Sequence, residues 1–264
     1  MMLRCLFLVL GAALCRPASA RAEPAASRPT TAAELALLND SLEKTARDLM
    51  RWACTQTMIR KDEKGRTNSE AVVRYDPSKP YPEQWTPLKI DGRPPSERDF
   101  RKYRRWGERA QQRAEFPEKS TRPTLGEAMN VSGARVAAEG EGHLTFEIPL
   151  RKDRNERFPP EKFKLLARLN RQTGALENID VHLRASFRTR LVVKVKSGEG
   201  SLNFAVVDPK HPPTLTDLRG DASASVFFFD IGGEYELTRT DFKFVRPYYD
   251  RFEVQIGPLK AIDF

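Results

Sequence analysis

The reactive side chains of this sequence are few and widely separated. Beyond the first two dozen residues the sequence has one cysteine, Cys54, and a Ser41-x-x-Lys44 pair. A thiol needs a neighbouring base to act as a nucleophile, and Ser-x-x-Lys enzymes also carry Ser-Asp-Asn and Lys-Thr-Gly motifs, which this sequence lacks. We therefore interpret Cys54 as a small apolar strand residue and Ser41 as part of a solvated helix face. We expect no enzymatic activity and no catalytic residues.

Metal and phosphate sites are equally poorly supported. The three histidines are isolated, without an i,i+4 partner or a second nearby cysteine, so we expect no metal. The glycine-rich segments 139–142 and 198–200 lie between predicted strands and open no helix, so they predict tight turns rather than a phosphate loop. The sequence thus indicates no cofactor.

A basic segment is the strongest local signal. Residues 96–113 predict a helix with an aromatic stripe of Phe100, Tyr103 and Trp106. Its other faces are rich in arginine, and Arg101, Arg105 and Arg109 could dock on an anionic membrane surface or an acidic protein. Alternatively, the helix packs its aromatic stripe on a sheet while the arginines stay solvated. Both interpretations remain open at this point.

The N-terminus predicts an export signal. Arg4 precedes an apolar run at residues 5–15, and small residues suit cleavage after Ala22. Residues 1–22 are therefore interpreted as a secretory signal peptide, residues 23–30 as a linker, and 31–264 as one domain. Loss of Arg4, Arg16 and Arg21, with no acidic residue, would lower the net charge from +9 to +6. The predicted location is periplasmic or secreted.

The remaining patterns predict an α+β fold. Thr31 and Glu34 form a capping box before a helix that ends near residue 51. A hairpin follows, at 54–60 and 70–75, with a short strand at 85–90. From residue 144 onward, apolar residues alternate through consecutive strands, including 224–231, 234–245 and 252–256, with a turn at 197–200. Nine to eleven strands should form a large curved antiparallel sheet covered by two or more helices, with a bulge near Arg239 where the alternation breaks.

This layout resembles a known family. Two helices against a long antiparallel meander, behind a signal peptide, are similar to the LolA/LolB/LppX-type lipid and lipoprotein carriers of bacterial envelopes. The similar stretches are the opening helix and hairpin, the hairpin at 169–176 and the strand at 235–242. The stretch from 74–77 through 85–95 resembles a segment of uncharacterised exported bacterial proteins that share this architecture. The resemblance implies an open half-barrel whose apolar concave side holds acyl chains under a helical lid. The arginine-dense second helix and residues 114–132 depart from the family.

Taken together, the sequence predicts an exported, non-enzymatic binding protein that holds an apolar or lipid-like ligand between sheet and helices. The predicted cavity lining is Phe100, Tyr103, Trp106, Phe146, Ile148, Val181, Leu191, Val193, Phe204, Phe227, Phe229, Leu237 and Phe242. The alternative is an envelope interaction protein that docks through helix 96–113. We expect no nucleic-acid partner, because the positive charge is spread over many strands and an exported protein rarely meets DNA.

Overall fold

A computed structural model describes residues 27–116, 128–151, 159–189, 193–226 and 229–252. The fold is α+β, as predicted: within these residues, a curved antiparallel sheet of twelve strands stays open and carries two helices. The helices are α1 (Ala32–Asp48) and α2 (Glu97–Glu115). The strands are β1 (Arg28–Pro29), β2 (Trp52–Lys61), β3 (Thr67–Tyr75), β4 (Trp85–Ile90), β5 (Arg135–Gly140), β6 (His143–Ile148), β7 (Phe163–Asn170), β8 (Leu176–Leu183), β9 (Phe187–Thr189), β10 (Val193–Ala205), β11 (Thr214–Val226) and β12 (Phe229–Phe244).

Capping boxes begin both helices. The Thr31 hydroxyl accepts from the Glu34 amide, and the Glu34 carboxylate accepts from the Thr31 amide at 2.9 Å. Ser96 and Asp99 form the same reciprocal pair before α2. Each pair satisfies amides that the first helical turn leaves free, so the sequence defines both helix starts locally.

The order of strands across the sheet is β1-β5-β6-β7-β8-β10-β11-β12-β2-β3-β4, and β9 pairs with β10. Strand β12 pairs with β2, so the last described strand lies beside the hairpin formed by β2 and β3. This arrangement puts β1 at one edge and β4 at the other.

One apolar row crosses the sheet. Cross-strand register aligns one residue from each of ten strands: Val136, Phe146, Ala167, Ile179, Leu202, Leu218, Leu237, Met58, Ala71 and Ile90. Because strand side chains alternate between faces, these residues all share one face. Both helices pack on this face, since the hydrophobic clusters beneath them contain members of the row. We call it the helix-bearing face.

Two separate clusters form the core on this face. The larger one joins Leu38 of α1 to residues of β5–β8, among them Phe146 and Leu165. The smaller one joins Tyr103 of α2 to Val73 and Ile90. The clusters thus lie towards opposite ends of the sheet, with the central strands between them.

Glycine fixes the position of α2. A Cβ at Gly107 would lie 1.8 Å from the carbonyl oxygen of Tyr81, so the helix packs in direct backbone contact with Tyr81–Glu83. No larger residue fits there without moving the helix. This contact holds α2 over the β3–β4 end of the sheet.

Two predictions about the middle of the sheet were wrong. Residues 197–200 form no turn, because β10 continues through them and pairs with both β8 and β11. The boundary predicted between strands 224–231 and 234–245 is also misplaced. Strand β11 ends at Val226, and β12 begins at Phe229 and runs without a break to Phe244. In both places glycines stand within strands, where they usually signal turns.

Other departures lie near the ends of elements. Arg28–Pro29, expected within a linker, pairs with β5 as an edge strand. Strand β5 went unpredicted because its sequence, Arg-Val-Ala-Ala-Glu-Gly, has little apolar alternation. The predicted bulge is confirmed slightly further along, where the register shifts between Thr240 and Lys243. Ala22, Leu191, Phe227 and most of the predicted strand 252–256 lie outside the described residues.

Candidate ligand-binding surface

The middle of the helix-bearing face is less buried than its ends. Leu202, Leu218 and Tyr235 are half-buried, whereas Phe146 and Ile179 are essentially inaccessible. Two residues further along each strand, on the same face, a neighbouring row pairs Val181 with Gly200, Gly200 with Gly220, and Gly220 with Tyr235. The small residues leave space above the sheet at this point. We call the surface formed by Val181, Gly200, Leu202, Leu218, Gly220 and Tyr235 the central apolar surface.

Helix α1 spans the strands between the larger cluster and β2. Leu38 packs into the cluster on β5–β8, while the C-terminal end of α1 continues through Leu49–Arg51 into β2. Strand β2 lies four positions from β8, or about 19 Å at a strand spacing of about 4.8 Å. The ten residues after Leu38 and the short 3-10 helix span about 21 Å. The helix must therefore run above β10, β11 and β12.

The inward face of α1 is partly polar. Ser41 and Thr45 follow Leu38 at helical spacing and are buried, at 4% and 5% exposure. Neither hydroxyl has a hydrogen-bond partner in the described part of the protein. Ser41 was predicted to be solvated, which is wrong, because the helix turns this side chain towards the sheet. The buried side of α1 thus carries two hydroxyl groups after Leu38.

A cation lies on the same face at the edge of the central apolar surface. Arg239 follows Leu237 by two residues and pairs in register with Gln56, which pairs with buried Val73. The Nε atom of Arg239 is fully buried, and within the described residues it has no hydrogen-bond partner. No ion pair to Arg239 is present in the same part of the chain either.

Three titratable groups near Arg239 are neutral. Cys54 is fully buried and receives a weak hydrogen bond from the Gln56 amide nitrogen, with an N–S distance of 3.8 Å. Burial raises the pKa values of Cys54, Tyr75 and Tyr235, and the nearby positive charge of Arg239 opposes each shift. All three groups therefore stay protonated at neutral pH. None of them supplies a negative charge to Arg239.

An aromatic cluster closes the β2 end of the face. Trp52 lies edge-on to Phe244 and Phe242, with ring centroids 5.0 Å and 6.0 Å apart. His211 stacks on Phe244 at 3.6 Å and also meets Trp52. These rings pack beyond the register shift in β12, which turns Phe242 towards Trp52.

The predicted lining residues are distributed over three environments. Phe146 and Ile148 belong to the closed cluster under α1, Val181 and Phe204 pack half-buried at its margin, and Leu237 is buried in the central row. Tyr103 and Trp106 pack on the β3–β4 end, but Phe100 is 43% exposed and lies outside that contact. Phe242 joins the aromatic cluster. For Val193 and Phe229 the structure describes the backbone only.

The basic helix forms a second candidate surface. A depression of about 500 Å³ beside α2 is lined by Ile90, Asp91, Arg93, Ser96, Arg98, Asp99, Lys102, Arg105, Trp106 and Arg109. Arg98, Lys102, Arg105 and Arg109 recur on one side of the helix, and Arg101 is exposed outside the depression. Only Arg93 among the lining cations pairs with a lining carboxylate, Asp99, at 3.3 Å. The depression therefore carries excess positive charge.

The opposite face of the central strands is polar. A shallow depression of about 420 Å³ there is lined by residues that include Asp180, His182, Glu199, Arg219 and Asp221. In the described part of the chain, no group of three or more His, Cys, Asp or Glu side chains is arranged to hold a metal ion. The two faces of the same strands thus differ sharply in polarity.

Sequence reasoning missed two features of the central apolar surface. Arg239 sits in a strand segment of mixed parity, so the alternation there could not show which face it occupies. Ser41 and Thr45 lie between leucines that suggested a purely apolar stripe. Ser41 follows Leu38 by three residues and Thr45 follows Ser41 by four, and this helical spacing was the available signal.

Comparison with known proteins gives no match: no protein family, curated protein or solved structure resembles this chain significantly. Among the helices that the structure describes, none has the length and apolar character needed to cross a membrane.

Proposed function

We propose that this chain is an exported, non-enzymatic binding protein that holds an apolar or lipid-like ligand between the sheet and its helices. The observation that carries the proposal is the continuous apolar row across ten strands, whose ends are buried in clusters while Leu202 and Leu218 in the middle are only half-buried. A contiguous apolar surface that stays partly exposed is typical of a ligand site.

The glycines support the same function. Gly200 and Gly220 are direct cross-strand partners, and a Cβ on either would meet nothing closer than 3.7 Å. Side chains would therefore fit there without a backbone clash. The absence of side chains at these two positions leaves space above the central strands.

The state of Cys54 supports a non-enzymatic role. The thiol is fully buried and its pKa is raised by that burial. A buried protonated thiol is a poor nucleophile. The segment 1–22 supports export to the periplasm or the medium, and the layout supports an analogy with the lipoprotein carriers.

The test uses purified protein that has been delipidated and refolded, titrated with cis-parinarate, a fluorescent long-chain fatty acid. We expect saturable binding that is lost in Gly220→Leu, because the new side chain would occupy the central apolar surface. Asp221→Leu is the matched control, since the neighbouring residue points to the opposite face. Absence of saturable binding to the wild-type protein would overturn the proposal.

The second candidate function is docking through α2, and the excess positive charge of its depression favours it. Under this proposal, Arg101→Glu, Arg105→Glu and Arg109→Glu together abolish salt-sensitive binding to phosphatidylcholine vesicles that contain phosphatidylglycerol. The matched control reverses three exposed cations elsewhere: Arg47, Lys210 and Lys243. Equal loss in both triple variants would show a dependence on net charge alone and refute docking by α2.

A further inference from the structure

The charge on the middle of the helix-bearing face is entirely positive. Outside the register shifts, the described positions of β10, β11, β12, β2 and β3 that face the helices include two charged residues, Arg60 and Arg239, and no Asp or Glu. Arg60 lies at the margin, exposed, with its guanidinium carbon 5.7 Å from the centre of the Tyr235 ring. Arg239 is the inner of the two.

A partly buried guanidinium without an anion is costly. The buried Nε of Arg239 lacks a hydrogen-bond partner in the described residues, and its neighbours Cys54, Tyr75 and Tyr235 are neutral. Burial of a cation is tolerated when an anion forms hydrogen bonds to it. The guanidinium group presents two parallel donors that match a carboxylate.

We infer that Arg239 binds the carboxylate of a long-chain fatty acid whose tail lies along the central apolar surface. This inference rests on the proposed function. A carboxylate fits better than a phosphate monoester, because a single inner arginine neutralises one negative charge and would leave most of a second uncompensated.

The geometry also accommodates the tail. Arg239 is adjacent to Leu237 on β12, and the apolar row continues from Leu237 through Leu218 and Leu202 to Ile179 on β8. Three strand spacings separate Leu237 from Ile179, or about 14 Å.

The experiment compares cis-parinarate with its neutral methyl ester, using wild-type protein, Arg239→Gln and Arg239→Lys. We expect Arg239→Gln to weaken parinarate binding about 10- to 100-fold, as loss of a charged hydrogen-bonded pair does. We expect little change for the ester. Arg239→Lys should restore part of the affinity for the acid. Arg219→Gln, on the opposite face of β11, is the matched control and should bind both probes normally.

The outcomes separate the two proposals. Saturable binding of both probes with equal affinity to wild-type protein and Arg239→Gln would overturn the role of Arg239 and keep the proposed function. Absence of binding by either probe to wild-type protein would overturn both. If Arg239→Gln does not fold, the wild-type protein still decides, because it must bind the acid at least tenfold more tightly than the ester. Tighter binding of dodecyl phosphate than of dodecanoate would refute the choice of a carboxylate.

Discussion

Replacing Arg239 with methionine should stabilise the ligand-free protein. The substitution removes a buried Nε without a partner in the described residues and leaves an apolar chain of similar length beside Leu237. An unsatisfied buried polar group costs about 1–3 kcal/mol. Because Arg239 is only half-buried, we expect a gain in the free energy of unfolding of about 1–2 kcal/mol. For a chain of this size, that gain raises the melting temperature by about 2–8 °C.

The assay is urea unfolding of delipidated protein, followed by tryptophan fluorescence, with the midpoint compared at constant m-value. Arg219→Met is the control, and a change within about 0.5 kcal/mol is expected there because the side chain is exposed. Saturating fatty acid should reverse the order of stability. At a concentration 100 times the dissociation constant, the wild-type protein gains about 2.7 kcal/mol, whereas Arg239→Met should gain far less. A less stable ligand-free Arg239→Met would refute the reasoning, since it would mean that the guanidinium already makes favourable contacts.

Three further predictions concern the framework. Phe146→Ala should lower the free energy of unfolding by about 3–5 kcal/mol, because its ring is fully buried in the larger cluster; chemical unfolding measures this. Gly107→Ala should cost about 1–3 kcal/mol or more, because its Cβ would overlap the Tyr81 carbonyl oxygen; Glu108→Ala on the exposed face should have little effect. Hydrogen bonds from Arg28 and the Thr31 amide lower the pKa of Glu34 to about 2. Its ionised form therefore contributes stability above pH about 4.5, and this contribution is lost as the pH falls towards 2. Glu34→Gln should remove that part of the pH dependence in acid unfolding curves.

The results that would contradict these predictions are specific. An unchanged midpoint for Phe146→Ala would mean that the cluster under α1 is loosely packed. A stable Gly107→Ala protein with an intact α2 would mean that the backbone contact at Tyr81 is not tight. An identical acid unfolding curve for Glu34→Gln would mean that the pair with Arg28 contributes nothing to stability.

Much of the fold could be predicted because its signals are local. The capping boxes at Thr31 and Ser96 define the helix starts, and alternation between Leu144 and Leu183 defines β6–β8. Strand β10 was missed as a single element because Gly198 and Gly200 imitate a turn. That these glycines lie within a strand becomes clear only from the pairing of β10 with β8 and β11. This pairing depends on residues far away in the sequence.

The candidate site was less predictable for the same reason. A charged residue in a strand is normally expected to face solvent, and the bulge after Thr240 obscures the alternation around Arg239. Only the register with Gln56 and Val73 places Arg239 on the helix-bearing face. The spacing of Leu38 and Leu42 suggested an apolar helix stripe, but the hydroxyls of Ser41 and Thr45 are the buried groups that follow Leu38.

The attachments of α1 determine how a molecule can reach the central strands. At its N-terminal end, Glu34 is bound by Arg28, which also pairs with Glu139 of β5. At its C-terminal end, three residues join the helix to β2. A helix attached to the sheet at both ends is held in place and cannot swing open about one end. Under the proposed function, a ligand would therefore reach and leave the central strands past the long sides of α1, while the helix itself stays in place.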